Sequence, residues 1–361
     1  MQLKIAVGLM SGTSLDGIDA ALIETDGEGH VRPIAFRYEP WSEPARATLR
    51  QAAERALLLD RPRPTPETDA AEALVTRAHI LAVRKLLVDH DVTPDVIGFH
   101  GQTIAHRPDR GWTWQIGDGA AMARALGIAV VNDFRSADVA AGGQGAPLLP
   151  VYHRALAEGL ERPLVILNLG GVGNITAISA QGELIAFDTG PANGLVDDWM
   201  LRHTGHGFDE GGAFAATGQV DQQVLAAMLD HPFFSMPAPK SLDRADFTIA
   251  PVAGLESADG AATLTAFTAH AVAAGLALLP ERPRRLLVAG GGRHNRTMMA
   301  MLEQACGVRP EPIDLLGGNG DATEAEGFAY MAVRQLHGLP ISFPGTTGAP
   351  APLRGGVVHP A

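Results

Sequence analysis

The sequence states one pattern twice. Residues 3 to 40 carry three strand-like runs, LKIAVGLM, GIDAALIET and VRPIAFRYEP, and residues 164 to 190 carry three more, LVILNLGG, NITAISA and LIAFDTG. In each set a short turn of small residues joins the first two runs, so each half is expected to open on a hairpin that continues as a meander. Helical patterns follow: ARATLRQAAERALLL and PETDAAEALVTRAHILAVRKLLVDH in the first half, GLVDDWMLRHTG and VDQQVLAAMLD in the second. This constrains the fold to a duplicated α/β unit. At 361 residues the chain also exceeds one core of ordinary size. Two domains are therefore expected, 1–133 and 134–339, with the Pro/Gly-rich tail 340–361 returning to the first. Their glycine-rich turns are expected to face an interdomain cleft.

Composition removes several function classes. A formal net charge of −12, without any Lys/Arg-rich run, argues against nucleic acid as a partner. The apolar stretch 264–280 is too short to span a bilayer and is interrupted by Thr265, Thr268 and His270, so it reads as a buried helix and no membrane role is expected. Cys306 is the single cysteine, which rules out an intrachain disulfide and a cysteine-based zinc site. The N-terminus enters a strand at once, without a basic segment and cleavage site, and a cytoplasmic location is expected.

Three turns can receive a phosphate or a base. The first, Ser11, Gly12, Thr13, Ser14, Asp16 and Gly17, offers N–H groups, hydroxyls and a carboxylate. Such a turn also suits a plain hairpin. It lacks the Gly-Lys-[Ser/Thr] ending of a Walker loop. The second, NLGGVGNIT with Gly170, Gly171, Gly173 and Asn174, repeats that logic and lacks the third glycine and following helix of a dinucleotide turn. The third, VAGGGRHNRTMMAML, sets Gly290, Gly291 and Gly292 before an amphipathic helix starting near Asn295. A tight strand-to-helix turn explains it equally.

Asp188, at the end of LIAFDTG, is the candidate acid–base residue, with helix capping as the plainer alternative; Asn193 is better placed to cap. Between the first two turns, His100, Gln102, Thr103, Asp118, Asp133, Arg135 and Asp138 offer hydrogen bonds to a polyhydroxylated ligand, and Arg135 suits a carboxylate. His100 and His106 lack the partners of a transition-metal site. Lys240, Ser241, Asp243 and Arg244 add polar groups in PKSLDRADF. Asp321 reads as an N-cap, with Glu324 complementing the helix dipole.

GLMSGTSLDGID, FHGQTIAH, NDFRSADVAAGGQGAPL, NLGGVGNIT, FDTGPAN, PKSLDRADF, AGGGRHN and GDATEAEGFA stand in one order along nearly the whole chain. In this the sequence resembles the anhydro-N-acetylmuramic acid kinases of the actin, sugar-kinase and Hsp70 ATPase superfamily. PKSLDRADF and Ala192 depart from the commoner PKSTGRE and GPGN forms. The resemblance implies an α/β fold of two ribonuclease-H-like (actin-like ATPase) domains closing on ATP and Mg²⁺, with a hinge near residues 130–140 and again near the C-terminus. It implies hydrolysis of the ring of 1,6-anhydro-N-acetylmuramic acid coupled to phosphorylation of O6, with Asp188 activating the water.

By the same resemblance Gly12, Thr13, Ser14, Leu15, Asp16, Gly17, Ile18 and Asp19, with Gly170, Gly171, Gly173 and Asn174, hold phosphates, and Asp16 meets the hydrated Mg²⁺. Gly290, Gly291, Gly292 and Asn295 take the rest of the nucleotide. His100, Gln102, Thr103, Asp133, Arg135, Asp138, Asn193 and Glu324 take the sugar, and a homodimer is implied. The rival readings are an ordinary sugar kinase, in which Asp188 deprotonates a free hydroxyl, and a nucleotide-gated ATPase module without a sugar acceptor.

Overall fold

The computed structural model describes residues 1–88, 90, 92–242 and 246–361; Asp243 and Arg244 of PKSLDRADF lie outside the described residues. The chain runs through strands β1 (Lys4–Ser11), β2 (Gly17–Thr25) and β3 (Val31–Pro40), then helices α1 (Glu43–Leu57) and α2 (Pro66–Val88). Next come β4 (Val96–Arg107), β5 (Trp112–Ile116), α3 (Gly119–Leu126), β6 (Ala129–Asn132), α4 (Ser136–Ala140) and α5 (Pro150–Leu156). The second strand set is β7 (Leu164–Leu169), β8 (Val172–Ile178) and β9 (Leu184–Pro191), followed by α6 (Asn193–Thr204), α7 (Gln222–Leu229) and α8 (Ser257–Ala277). Then follow β10 (Arg285–Ala289), α9 (Arg296–Cys306), β11 (Pro310–Pro312), α10 (Thr323–Leu336), α11 (Pro344–Thr347) and β12 (Val357–His359).

Two compact units result, 1–158 with 322–361, and 159–321. The first holds a sheet in the order β12-β6-β4-β1-β2-β3, with β5 paired to β4; the second holds a sheet in the order β11-β10-β7-β8-β9. In both, an antiparallel meander is joined through its first strand to a parallel strand, β4 in one and β10 in the other. Each is the plan of a ribonuclease-H-like domain, and the duplication read in the sequence is present. The boundaries differ from the expected 133/134 and 339/340. Phe134, Leu148, Val151 and Tyr152 share one apolar core with Ala6, Val131, Phe328, Met331 and Ile341, so 134–158 and α10 belong to the first unit. Polar spacing hides this, because the joining side chains lie far apart in sequence.

Backbone contact explains how α10 sits. A Cβ on Gly8 of β1 would lie 1.8 Å from Ala325 O, and one on Gly98 of β4 would lie 2.0 Å from Phe328 O. The helix rests directly on two strand glycines, a spacing no larger residue permits. In the second unit α8 is buried along most of its length, packing Leu264, Phe267 and Ala271 into the core with Phe187 and Trp199. This agrees with the reading of 264–280 as a buried helix, which begins earlier, at Ser257.

Candidate functional site

In the first unit the turn Gly12–Asp16 closes β1 onto β2, with Leu15 N donating to Gly12 O and Leu15 in the left-handed region at φ 57°. Thr13, Ser14 and Asp16 are exposed, and Ser14 Oγ donates to Asp16 Oδ1 at 2.5 Å. Ile18 is 2% exposed and belongs to the core, while Gly17 is required because a Cβ would meet the Tyr38 ring at 2.4 Å. These two expected ligand residues therefore serve packing; Asp19 stands half-buried beside them in β2.

A buried chain of hydrogen bonds holds the turn from behind. Trp41 Nε1 donates to Ser11 Oγ at 3.0 Å, and Ser11 Oγ to Gln102 Oε1 at 2.6 Å. Gln102 Nε2 then donates to Gly12 O at 3.1 Å, and Trp41 N to Asp16 O at 2.9 Å. Gln102 is fully buried and both ends of its amide are engaged, so it props the turn where a sugar contact was expected. Trp41 was missed, because a tryptophan after a strand reads as core.

His100 is likewise a support. Its Nδ1–H donates to Gly101 O at 2.9 Å, leaving Nε2 to accept from Arg135 Nε at 3.1 Å, and burial holds the ring neutral, well below the usual histidine range. Arg135 Nη1 donates to Gly145 O at 2.8 Å, and its guanidinium lies 6.0 Å from the Phe328 ring centroid. Desolvation lowers Arg135 to about 10, which still leaves it charged at neutral pH. Asp138 is 2% exposed, with Oδ1 accepting from Gly145 N and Oδ2 from Thr347 Oγ1, both at 2.6 Å. It ties the glycine loop to α11 and is not free for a sugar.

What this unit offers is Thr103, Asp133, Arg135 and Glu324, all half-buried. Asp133 holds a left-handed backbone at φ 55°, a strained state that a non-glycine residue keeps where the surroundings demand it. Glu324 is raised by burial first, lowered by Arg135 and raised again by Asp16, so Asp16 and Glu324 share one field. Among the described residues no cluster of three or more His, Cys, Asp or Glu side chains is able to cage a metal ion. Asp16 and Glu324 are carboxylates of the kind that would hold a hydrated Mg²⁺. Asp118, expected to offer hydrogen bonds to a polyhydroxylated ligand, is instead the N-cap of α3, accepting from Ala121 N at 2.8 Å.

In the second unit Ala289, Asn168, Asn174 and Asp188 form one row across β10, β7, β8 and β9. Gly170 and Gly171 close β7 onto β8. Their carbonyls accept from Asn193 N, Ala192 N and Gly194 N at the start of α6, and the space before Gly171 is open. Gly173 packs on Thr189, whose Oγ1 donates to Gly173 O at 3.1 Å. Asn193 does not cap α6; it is the first helical residue, and its Nδ2 donates to Leu169 O at 2.8 Å.

Gly290, at φ 77°, and Gly292 let the third turn close onto Asn168, Leu169 and Asn193, where any Cβ would clash, while Gly291 stays exposed. Asn193 thus brings the two glycine turns together. A 3-10 turn at Gly291–His294 intervenes before α9, and Asn295 is the cap, accepting from Met298 N at 2.9 Å, so its side chain is engaged. Asp321 is not the expected N-cap of α10, whose cap position is Ala322; it accepts from Arg293 Nη1 at 2.8 Å. Arg293, also overlooked in the sequence, is buried, pairs with Asp314 and donates to Gly290 O, bracing the turn.

Asp188 is half-buried. Burial raises its carboxyl to about 6, against the lowering effect of the Leu242 N–H, which donates to Oδ2 at 2.8 Å. It caps no helix.

A family profile for anhydro-N-acetylmuramic acid kinase matches residues 4–361. A relative of that name from Rhizorhabdus wittichii is 70% identical over 363 residues, covering 99% of this chain and 100% of its own. Another from Zymomonas mobilis is 56% identical over 362 residues, covering 98% and 99%. The chain belongs to the anhydro-N-acetylmuramic acid kinase family. Membership in this kinase family rests on the whole length of both units, so each glycine turn described above lies inside the match. In this anhydro-N-acetylmuramic acid kinase family member the second unit holds a carboxylate, Asp188, raised by burial to about 6, and two outward-facing glycines, Gly171 and Gly291.

Proposed function

We propose that this chain uses ATP to phosphorylate O6 of 1,6-anhydro-N-acetylmuramic acid while water opens the anhydro ring, giving N-acetylmuramic acid 6-phosphate and ADP. The reading belongs to cell-wall recycling and amino-sugar catabolism in the cytoplasm. Its carrying observation is the full-length family match, joined to an Asp188 whose carboxyl sits near 6, suited to exchanging a proton near neutral pH. Asp188 takes a proton from water, the water oxygen bonds to C1 and the C1–O6 bond breaks. O6 then bonds to the γ-phosphorus as the bond to ADP breaks.

Half-buried Gly12 and exposed Thr13 and Ser14, with Gly171 and Gly291, are the groups read as meeting the nucleotide. Asp16 would hold Mg²⁺ through water, and the ion would neutralise charge on the phosphates. Arg135, pre-aimed by His100 and Gly145, is the fork for the muramic carboxylate; Thr103, Asp133 and Glu324 take hydroxyls, and a homodimer belongs to the same reading.

The test incubates the protein with ATP and Mg²⁺, alone, with the anhydro sugar, or with N-acetylmuramic acid, and reads ADP and product mass. The expected product exceeds the anhydro sugar by one phosphoryl group and one water. Phosphorylation of the open sugar alone would mark an ordinary sugar kinase, and sugar-independent ADP release an ATPase module.

A further inference from the structure

We propose that Lys240 is a positioning residue for this reaction, anchoring the short segment that grips Asp188. The proposal rests on the reading of Asp188 as the base. Segment 240–242 holds that residue twice: Asp188 N donates to Lys240 O at 3.0 Å, and Leu242 N donates to Asp188 Oδ2 at 2.8 Å. The side chain of Lys240 is spent elsewhere. It is 7% exposed, and Nζ donates to Phe233 O at 2.8 Å. The ammonium lies 4.4 Å from the Phe233 ring centroid and 5.8 Å from that of Phe187, the residue before Asp188.

Among the described residues no carboxylate pairs with this ammonium. Taking a cation out of water costs several kcal/mol, and here a carbonyl and two ring faces offset it. A methionine would fill the same apolar space without that cost. What the ammonium adds is a tie between the 232–235 turn and the segment that grips the base. That turn also packs on the far side of the strand end, where a Cβ on Gly190 would lie 3.1 Å from the Phe234 ring. Lys240 therefore fixes the Leu242 N–H, and the N–H fixes which way the carboxylate faces.

Of the elements against β9, β8 presents Asn174, α8 presents Thr268 and Ala271, and the 232–235 turn presents Phe234. Lys240 is the charged residue of the gripping segment, and among the described residues no charge moves the Asp188 carboxyl; burial raises it and the Leu242 N–H lowers it. Loosening that N–H bond therefore moves the carboxyl upward.

Lys240→Met is the test variant, compared with the unaltered enzyme by kcat against pH at saturating ATP, Mg²⁺ and sugar. The expected result is a kcat lower by about tenfold, an acid limb displaced upward by about 0.5–1 pH unit, and KM for ATP unchanged within about twofold. A purely structural role would lower active protein without moving the limb. If Lys240→Met does not fold, Lys240→Arg carries the test, since its planar head respaces the same contacts; a limb displaced upward supports the proposal and an unmoved limb overturns it. Asp188→Asn runs alongside. Wild-type kcat there overturns the base reading and the proposal with it, whereas an inactive Asp188→Asn beside a Lys240→Met enzyme of wild-type kcat and limb overturns the proposal alone.

Discussion

Burial and one backbone N–H compete at Asp188, and burial prevails, which leaves the carboxyl near 6. A base works only when deprotonated, so kcat is expected to hold above about pH 6 and to fall below it. Asp188→Asn keeps the shape and loses the proton acceptor. It should lower kcat by about 100-fold or more while ADP affinity, read by calorimetry, stays within about twofold. Collapse of ADP binding would make Asp188 structural. At His79 burial prevails as well, over one backbone hydrogen bond, and there it lowers the group. This histidine is buried between Trp41 and Phe99, Nδ1 donates to Val75 O, Nε2 has no partner among the described residues, and the ring is lowered to about 4. The unfolded chain therefore takes up the proton first as pH falls, so the stability present above about 6.5 is lost between there and about 4. At pH 5 that loss is about 2 kcal/mol. In His79→Leu, urea midpoints should depend less on pH across this window; an unchanged dependence would place the acid sensitivity elsewhere.

At the scale of elements, glycine means different things in different places. Gly98 lets α10 lie on β4, and α10 carries Glu324 in its first turn. Gly98→Ala should push the helix away, cost about 1–3 kcal/mol in urea unfolding, and raise KM for the sugar as Glu324 shifts. A Cβ on Gly12 would meet only Ser14, its Oγ at 3.3 Å and its N at 4.0 Å. Gly12→Val should leave the melting temperature near wild type and weaken nucleotide binding by about tenfold. If Gly12→Val instead melts early with unchanged affinity, the turn is a fold element and not a phosphate clamp. Runs of alternating and 3.6-period residues announced most elements in the sequence, yet FHGQTIAHR, crowded with polar groups, hid a strand that continues to Arg107. Its polar side chains pair with the first turn and with β5, which no local pattern reveals.

Across the whole molecule, the first unit is closed by contacts between its middle segment, 129–152, and the C-terminal stretch, 326–359. Thr347 reaches Asp138, Tyr152 Oη donates to Glu326 Oε2 at 2.6 Å, and β12 pairs with β6. Thr347→Val leaves a buried carboxylate oxygen short of a donor and should cost about 1–3 kcal/mol, with Thr347→Ser near wild type. Equal midpoints for Val and Ser would show that the hydroxyl bond contributes nothing net. The sequence by itself determined the duplicated strand plan, the three glycine turns and the carboxylate at the end of β9, because period, turn chemistry and residue type are local properties. Tertiary structure alone decided which polar residues are presented and which are props. Gln102, His100 and Asp138 have the same donors and acceptors as a sugar-binding side chain. Their roles were set by Ser11, Arg135 and Thr347, partners 91, 35 and 209 residues away, whose approach depends on how the strands and helices pack.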